Sequence, residues 1–176
     1  MRKTLYLKFI LAYIIFGFFG FIVVATFVSS MTVDNLKKDK ADTLYREATL
    51  IANTYASDLY NSETTLEAVK NELDALETYL NASIWIINPS GRIVLDSSAP
   101  VDVENEVVIE NFDSTITEGS YYIIGDFFGT FTEDMLSVFA PITSDFKVKG
   151  YVVIHSSMSS LQAASDSLLN ISYITL

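Results

Sequence analysis

An uninterrupted apolar segment near the amino terminus constrains this chain more than any other feature. The segment FILAYIIFGFFGFIVVATFV, from Phe9 to Val28, is 20 residues long and carries no charge. At about 1.5 Å per residue, a helix of this length spans roughly 30 Å, the hydrocarbon thickness of a bilayer. We therefore predict a transmembrane helix at 9–28. A cleaved signal peptide is the alternative, although its apolar part is usually about 7 to 15 residues long.

The charges around this segment predict its orientation. Arg2, Lys3 and Lys8 precede it, whereas all 22 Asp and Glu residues follow it. Basic residues flanking a first membrane helix favour the cytoplasmic side. We predict a cytoplasmic amino terminus at 1–8, a location in the cell membrane, and an extracytoplasmic chain after about residue 29.

Composition excludes several classes of function. The chain has no cysteine, which rules out disulfides, cysteine-ligated metals and a thiol nucleophile. Its formal net charge of -11 would repel a phosphate backbone, so no nucleic-acid partner is expected.

Two helices are predicted after the membrane segment. From Met31 to Tyr60 there is no Gly or Pro, and apolar residues recur at spacings of three and four, so we predict a stalk helix at 29–60 that continues the membrane span outward. Thr64 with Glu67 three residues later has the spacing of a capping box and predicts the start of a second helix.

Beyond Asn81 the pattern changes to that of β-strands. SIWII and RIVLDS flank Asn88-Pro89-Ser90-Gly91, which predicts a β-hairpin. Three further strands are predicted at 121–124, 135–140 and 148–155, with a variable segment before them. The predicted fold class is α+β, an antiparallel five-stranded sheet with helices on one face. We expect that face to bury Leu66, Val69, Leu73, Trp85, Ile87, Val94, Val152 and Ile154.

The hairpin ASIWIINPSGRIVLDSS and the closing block MLSVFAPITSDFKVKGYVVIHSSMSSLQ resemble the extracytoplasmic PAS-like sensor domain, also called single Cache or PDC, of bacterial membrane-bound sensor histidine kinases. The resemblance covers nearly the whole chain. It implies a sensor core at 61–157, a homodimer with parallel stalk helices, and a two-component signal passed by helix displacement to a cytoplasmic kinase. The same input domain in a chemoreceptor or a cyclic-nucleotide enzyme is one alternative, and an anchored structural protein without an output domain is another.

The carboxyl-terminal segment, 158–176, becomes increasingly apolar toward Leu176. We predict an exit helix that leads into a truncated second membrane span. An amphipathic helix packed on the domain is the alternative.

No catalytic constellation, metal motif or cofactor motif is recognisable in the sequence, so this fragment is not expected to be an enzyme. A pocket for a small organic anion would need fixed donors, and the globular region offers few. The candidate ligand-binding residues are Arg92, Lys147, Lys149, His155 and Tyr121.

The stretch between Arg92 and Lys147 contains eleven acidic residues and no Lys or Arg. A cation or cationic peptide would relieve the repulsion among these charges. A solvated acidic surface is the alternative. For the ligand of this chain, the sequence leaves open a small molecule or a cation.

Overall fold

The computed structural model describes residues 2–101, 107–117 and 120–174. Its first element, α1, is a single helix from Arg2–Ile51, followed by a π-helical turn at Ala52–Ala56 and a short helix, α2, at Ser57–Tyr60. Within the described part of the chain, one helix is long and apolar enough to cross a membrane. α1 therefore contains the apolar segment and the predicted stalk as far as Ile51, and the last part of the stalk, to Tyr60, consists of the π-helical turn and α2.

The rest of the chain is an α+β domain. Its elements are α3 at Leu66–Leu80, β1 at Ser83–Ile87, β2 at Ile93–Asp96, a 3-10 turn at Ser114–Thr117, β3 at Tyr122–Gly125, β4 at Met135–Ser144, β5 at Lys147–Ser157 and α4 at Met158–Ile174. The five strands form one antiparallel sheet in the order β2-β1-β5-β4-β3. The predicted fold class is confirmed.

The helix face of the sheet, as we call the side that packs on α1 and α3, holds the larger core. Apolar residues of α1 at spacings of three and four are fully buried there, together with the inward side of α3. They pack on alternate residues of β1, β4 and β5. The contributing side chains include Ala41, Leu44, Ala48, Ile51, Val69, Leu73, Ile84, Ile86, Leu136, Val138, Val152 and Ile154.

Two of the residues expected on this face lie on the other one. Trp85 and Ile87 are buried in a separate cluster on the opposite side of the sheet. The reason is the pairing register, in which Ile86 lies opposite Val152 and Ile84 opposite Ile154. Since side chains alternate along a strand, Trp85 and Ile87 must face away from the helices.

The amino terminus of α3 also differs from the prediction. The side chain of Thr65, not Thr64, accepts a hydrogen bond from the backbone N–H of Ala68 at 3.3 Å. The helix therefore begins one residue later than the capping-box spacing indicates. At its other end Lys40 of α1 donates to the carbonyl oxygen of Leu80 at 3.4 Å, which places a cation at the negative end of the helix dipole.

The hairpin turn between β1 and β2 is held by one side chain. Oδ1 of Asn88 accepts hydrogen bonds from the backbone N–H groups of Ser90 and Arg92, at 3.0 and 2.9 Å, and from the Ser90 hydroxyl. Gly91 takes the positive φ of +83° that the turn requires. The predicted turn is confirmed. It pairs Ile87 with Ile93, and a register shift between Ile86 and Ile87 then pairs Ile86 with Leu95 and Trp85 with Asp96.

Candidate functional site

The loop face of the sheet, opposite the helices, carries an aromatic cluster. Phe127, Phe128 and Phe131, from the segment after β3, fold over the sheet and pack on Trp85 of β1 and Phe139 of β4. The indole of Trp85 stacks on the Phe131 ring, with centroids 5.3 Å apart. This segment therefore forms a second, smaller core on the loop face.

His155 lies in the centre of this cluster. It is fully buried, and its ring centroid is 4.4 Å from those of Trp85 and Phe127 and 4.9 Å from that of Phe131. Its Nδ1 forms a 2.8 Å hydrogen bond with the Ser137 hydroxyl. Burial lowers the pKa of His155 to about 3, so the ring is neutral at physiological pH.

Two polar atoms in the cluster have no hydrogen-bond partner among the described residues. They are Nε2 of His155 and Nε1 of Trp85, whose side chain is 6% exposed. A buried donor without a partner costs about 1–3 kcal/mol, so native proteins usually satisfy it with water or a ligand. The indole N–H can only donate, and it would pair with an acceptor atom.

A cavity of about 400 Å³ lies beside the cluster and shares Trp85 with it. This is within the range of small-molecule sites. Residues of β2 line one part of the cavity, and residues from the segments that follow β2 and β3 line the rest. The lining residues are Trp85, Ile93, Val94, Leu95, Asp96, Ala99, Pro100, Val101, Val107 and Thr130.

The register of the hairpin places the polar groups of this cavity. Trp85 and Asp96 are directly paired across β1 and β2, and Ile87 is paired with Ile93, so all four occupy the loop face. Asp96 is half-buried, and its Oδ1 accepts a hydrogen bond from the backbone N–H of Ser98 at 2.8 Å, which fixes the carboxylate at the start of the cavity cover. The carboxylate of Asp96 thus lies in a cavity whose other lining residues are mostly apolar.

The five candidate residues from the sequence do not come together here. None of them is among the described residues that line this cavity. Arg92 is half-buried at the start of β2, where it forms an isolated bridge with Val108. Lys147 is exposed and Lys149 half-buried at the beginning of β5, and His155 reaches the cavity only through Trp85. Their role in ligand binding stays a prediction.

Tyr121 lies elsewhere. Its hydroxyl donates to the carboxylate of Asp42 on α1, and its ring packs 4.9 Å from that of Tyr45. The bond to Asp42 is the main reason that the pKa of Tyr121 is raised to about 12. Tyr121 also lines a second cavity, of about 410 Å³, together with Tyr45 and Tyr151. Tyr121 therefore connects the edge of the sheet, next to β3, with α1.

Sequence reasoning missed Trp85 and Asp96 as site residues. The search there was for positively charged donors, whereas the structure places a carboxylate beside Trp85. A hairpin closed at 88–91 would by itself pair Trp85 with Leu95. Asp96 lies opposite Trp85 only because the register shifts by one residue between Ile86 and Ile87, and no local signal in the sequence indicates that shift.

No protein-family model matches the chain, and none of the curated proteins matches it by sequence. Among solved structures, it resembles the sensor domain of the histidine kinase DctB from V. cholerae, with a TM-score of 0.53 and 14% identity over 76% of this chain. The match spans 56% of that chain.

It also resembles the ligand-binding domain of the Campylobacter jejuni chemoreceptor Tlp3. The complex with 4-methylisoleucine has a TM-score of 0.44 and 16% identity, over 77% of this chain and 62% of that one. The complex with L-valine has a TM-score of 0.45 and 16% identity, over 80% and 66%. These two likenesses are too distant to support an assignment. Together with the strand order and the helix-backed sheet, the DctB likeness shows that the chain has the fold of a PAS-like sensor domain.

Proposed function

We propose that this chain is the extracytoplasmic sensory input portion of a membrane-bound receptor, and that its parent is a sensor histidine kinase of a two-component system. The observation that supports this best is the continuity of α1. One helix contains the apolar segment at 9–28 and also the residues between Ala41 and Ile51 that are buried against the sheet. Any change in the packing of the sheet is thereby mechanically connected to the membrane segment.

The ligand of this sensor is a small molecule bound on the loop face, in the cavity beside Trp85. Both α1 and α4 are attached to the sheet, and they pack against each other. A ligand that binds one sheet-helix packing more tightly than another shifts the population between the two. The resulting displacement of α4 relative to α1 is the proposed output, with the sensor core at 61–157 and the exit helix at 158–176.

We further propose that the receptor is a homodimer through the stalk. The side of α1 that includes Leu44 and Ala48 is buried against the sheet, whereas Arg46 and Leu50 on its other side are exposed. Single cysteines at Arg46 and Leu50 should form disulfide-linked dimers, and cysteines at Leu44 and Ala48 are the matched controls that should not. Equal crosslinking at all four positions, or at none, would contradict a parallel stalk.

The orientation has a direct test because the chain contains no cysteine. A cysteine at Thr130, which is exposed, should react with a membrane-impermeant maleimide on intact spheroplasts, and the labelled chain should sediment with membranes. Labelling only after lysis would contradict the extracytoplasmic location. A labelled chain in the soluble fraction would show that the apolar segment is cleaved.

The nature of the parent is tested by the coding sequence beyond Leu176. A second apolar span followed by a HAMP-like helix pair and a kinase core is the expected result. A methyl-accepting coiled coil would replace the kinase with a chemoreceptor, and a stop codon would exclude a parent with an output domain.

A further inference from the structure

We propose that the cavity beside Trp85 selects a small organic cation, an alkylammonium compound, with Asp96 binding the positive charge. This inference rests on the proposed function, because it names the class of ligand for the same cavity. It departs from the anion pocket for which the sequence offered Arg92, Lys147, Lys149 and His155.

The first reason is the charge of the cavity lining. Asp96 is the one ionisable side chain among the described residues that line it, and no Lys, Arg or His is found among them. A carboxylate ligand would be desolvated against the apolar wall without a cationic partner, which is strongly unfavourable. An ammonium group would instead be paired with Asp96.

The second reason is the availability of the Asp96 carboxylate. Its Oδ1 accepts one bond, from the backbone N–H of Ser98. An ionised carboxylate has about four acceptor sites on its two oxygens, so capacity remains for a donor from a ligand. The bond to Ser98 also holds the group in place, and a fixed charge binds a ligand without the entropy cost of ordering the side chain.

The third reason is the apolar remainder of the lining. Trp85, Ile93 and Val107 border the cavity beside Asp96, and their apolar surface suits the alkyl groups of an organic cation.

The fourth reason is the field around the cavity. The segments that cover it belong to the stretch between Arg92 and Lys147, which has eleven acidic residues and no Lys or Arg. A surface of one sign raises the local concentration of oppositely charged ligands and slows the approach of anions.

The test uses the full chain in a nonionic maltoside detergent, since phosphocholine detergents carry a head group like the probe. Trp85 is the one tryptophan in the sequence, so its fluorescence reports directly on the cavity. The probes are choline, its uncharged isostere 3,3-dimethylbutan-1-ol, zwitterionic glycine betaine and the dianion succinate. We expect choline to shift the emission of Trp85. Its affinity should be at least about tenfold higher than that of each of the other three probes.

Asp96→Asn is the decisive variant because its Oδ1 can still accept from Ser98 and only the charge is removed. It should weaken choline binding about tenfold or more and leave the affinity for 3,3-dimethylbutan-1-ol unchanged. Asp126→Asn, at an exposed acid outside the cavity lining, makes the same change in net charge and should alter choline affinity less than twofold.

Several results would overturn the inference. Succinate or betaine binding as tightly as choline would do so, as would choline affinity that is equal in Asp96→Asn and the parent chain. The absence of any fluorescence response to choline at millimolar concentration would also exclude it. These failures leave the sensory function standing, since that is tested separately by the orientation, the stalk crosslinks and the coding sequence beyond Leu176.

Discussion

The buried His155 makes the stability of this domain depend on pH in a way that can be calculated. Its pKa is about 3 in the folded chain because of burial, against an ordinary value of 6.5 when the chain is unfolded. The partners described around the ring are Ser137, Trp85, Phe127 and Phe131, and none of them carries a charge. No neighbouring carboxylate among them would stabilise the imidazolium form.

Because the folded pKa is the lower one, the unfolded chain binds a proton first as the pH falls. The contribution of the neutral ring is fully present above pH 6.5 and is lost progressively between pH 6.5 and pH 3. One pKa unit corresponds to about 1.36 kcal/mol, so acidification from pH 7 to pH 5 should destabilise the fold by about 2 kcal/mol through His155 alone.

The assay is urea unfolding of the full chain in detergent at pH 7, 6 and 5, followed by the fluorescence of Trp85, which contacts the ring of His155. His155→Gln keeps a neutral side chain that can bond Ser137 but cannot titrate. The carboxylates contribute equally to both proteins, so the difference in slope isolates the histidine. An identical pH dependence in the two proteins would refute the conclusion that His155 is held neutral.

Three further substitutions test local features of the fold by urea unfolding. In Gly150→Ala the new Cβ would lie 2.5 Å from the carbonyl oxygen of Ile87, so β1 and β5 must separate; we expect a loss of roughly 2 kcal/mol, and a loss below about 0.5 kcal/mol would contradict this packing. Asn88→Ala removes the acceptor of three bonds and should cost roughly 1–2 kcal/mol, whereas Asn88→Asp keeps the acceptor and should retain most of the stability. Asp42→Asn and Tyr121→Phe should each lower the urea midpoint of unfolding. Because both remove the same interaction, the double variant should be about as stable as the less stable of the two single variants. If the two losses of stability add in the double variant, the side chains are not coupled.

Local patterns were sufficient to predict the elements of this fold. The spacing of apolar residues in α1 and α3, the Asn-Pro-Ser-Gly turn and the β-branched strands each carry their signal within a short window. The turn between β4 and β5 is equally local, with Asp145 and Phe146 both at positive φ. These features depend on neighbours in sequence and require no knowledge of the rest of the chain.

Which side of the sheet each residue occupies could not be obtained in this way. Trp85 and Ile87 were expected beside α3 because all residues of β1 after Ser83 are apolar, and an apolar strand has no polar face to show its orientation. The pairing of Ile86 with Val152 settles it. A shift by one residue would exchange the two faces.

The candidate site could not be predicted from local sequence patterns, for the same reason. The cavity combines β1, β2, the segment after β2 and Thr130, which are separated by up to 45 positions in the chain. The aromatic residues on either side of β3 also differ in their surroundings, since Tyr121 contacts α1 while Phe127 packs on His155 on the loop face. Only the packing of the sheet distributes them.

By itself, the sequence determined the membrane-competent segment, the acidic and cysteine-free composition and the order of helices and strands. These follow from residue content and from periodicities of two and 3.6 residues, which are properties of the backbone. The tertiary structure alone decided that Trp85 and Asp96 lie next to each other on paired strands beside a cavity, and that His155 is buried and neutral. Those outcomes depend on long-range strand register and on the exclusion of water, and neither is encoded in any short segment of the chain.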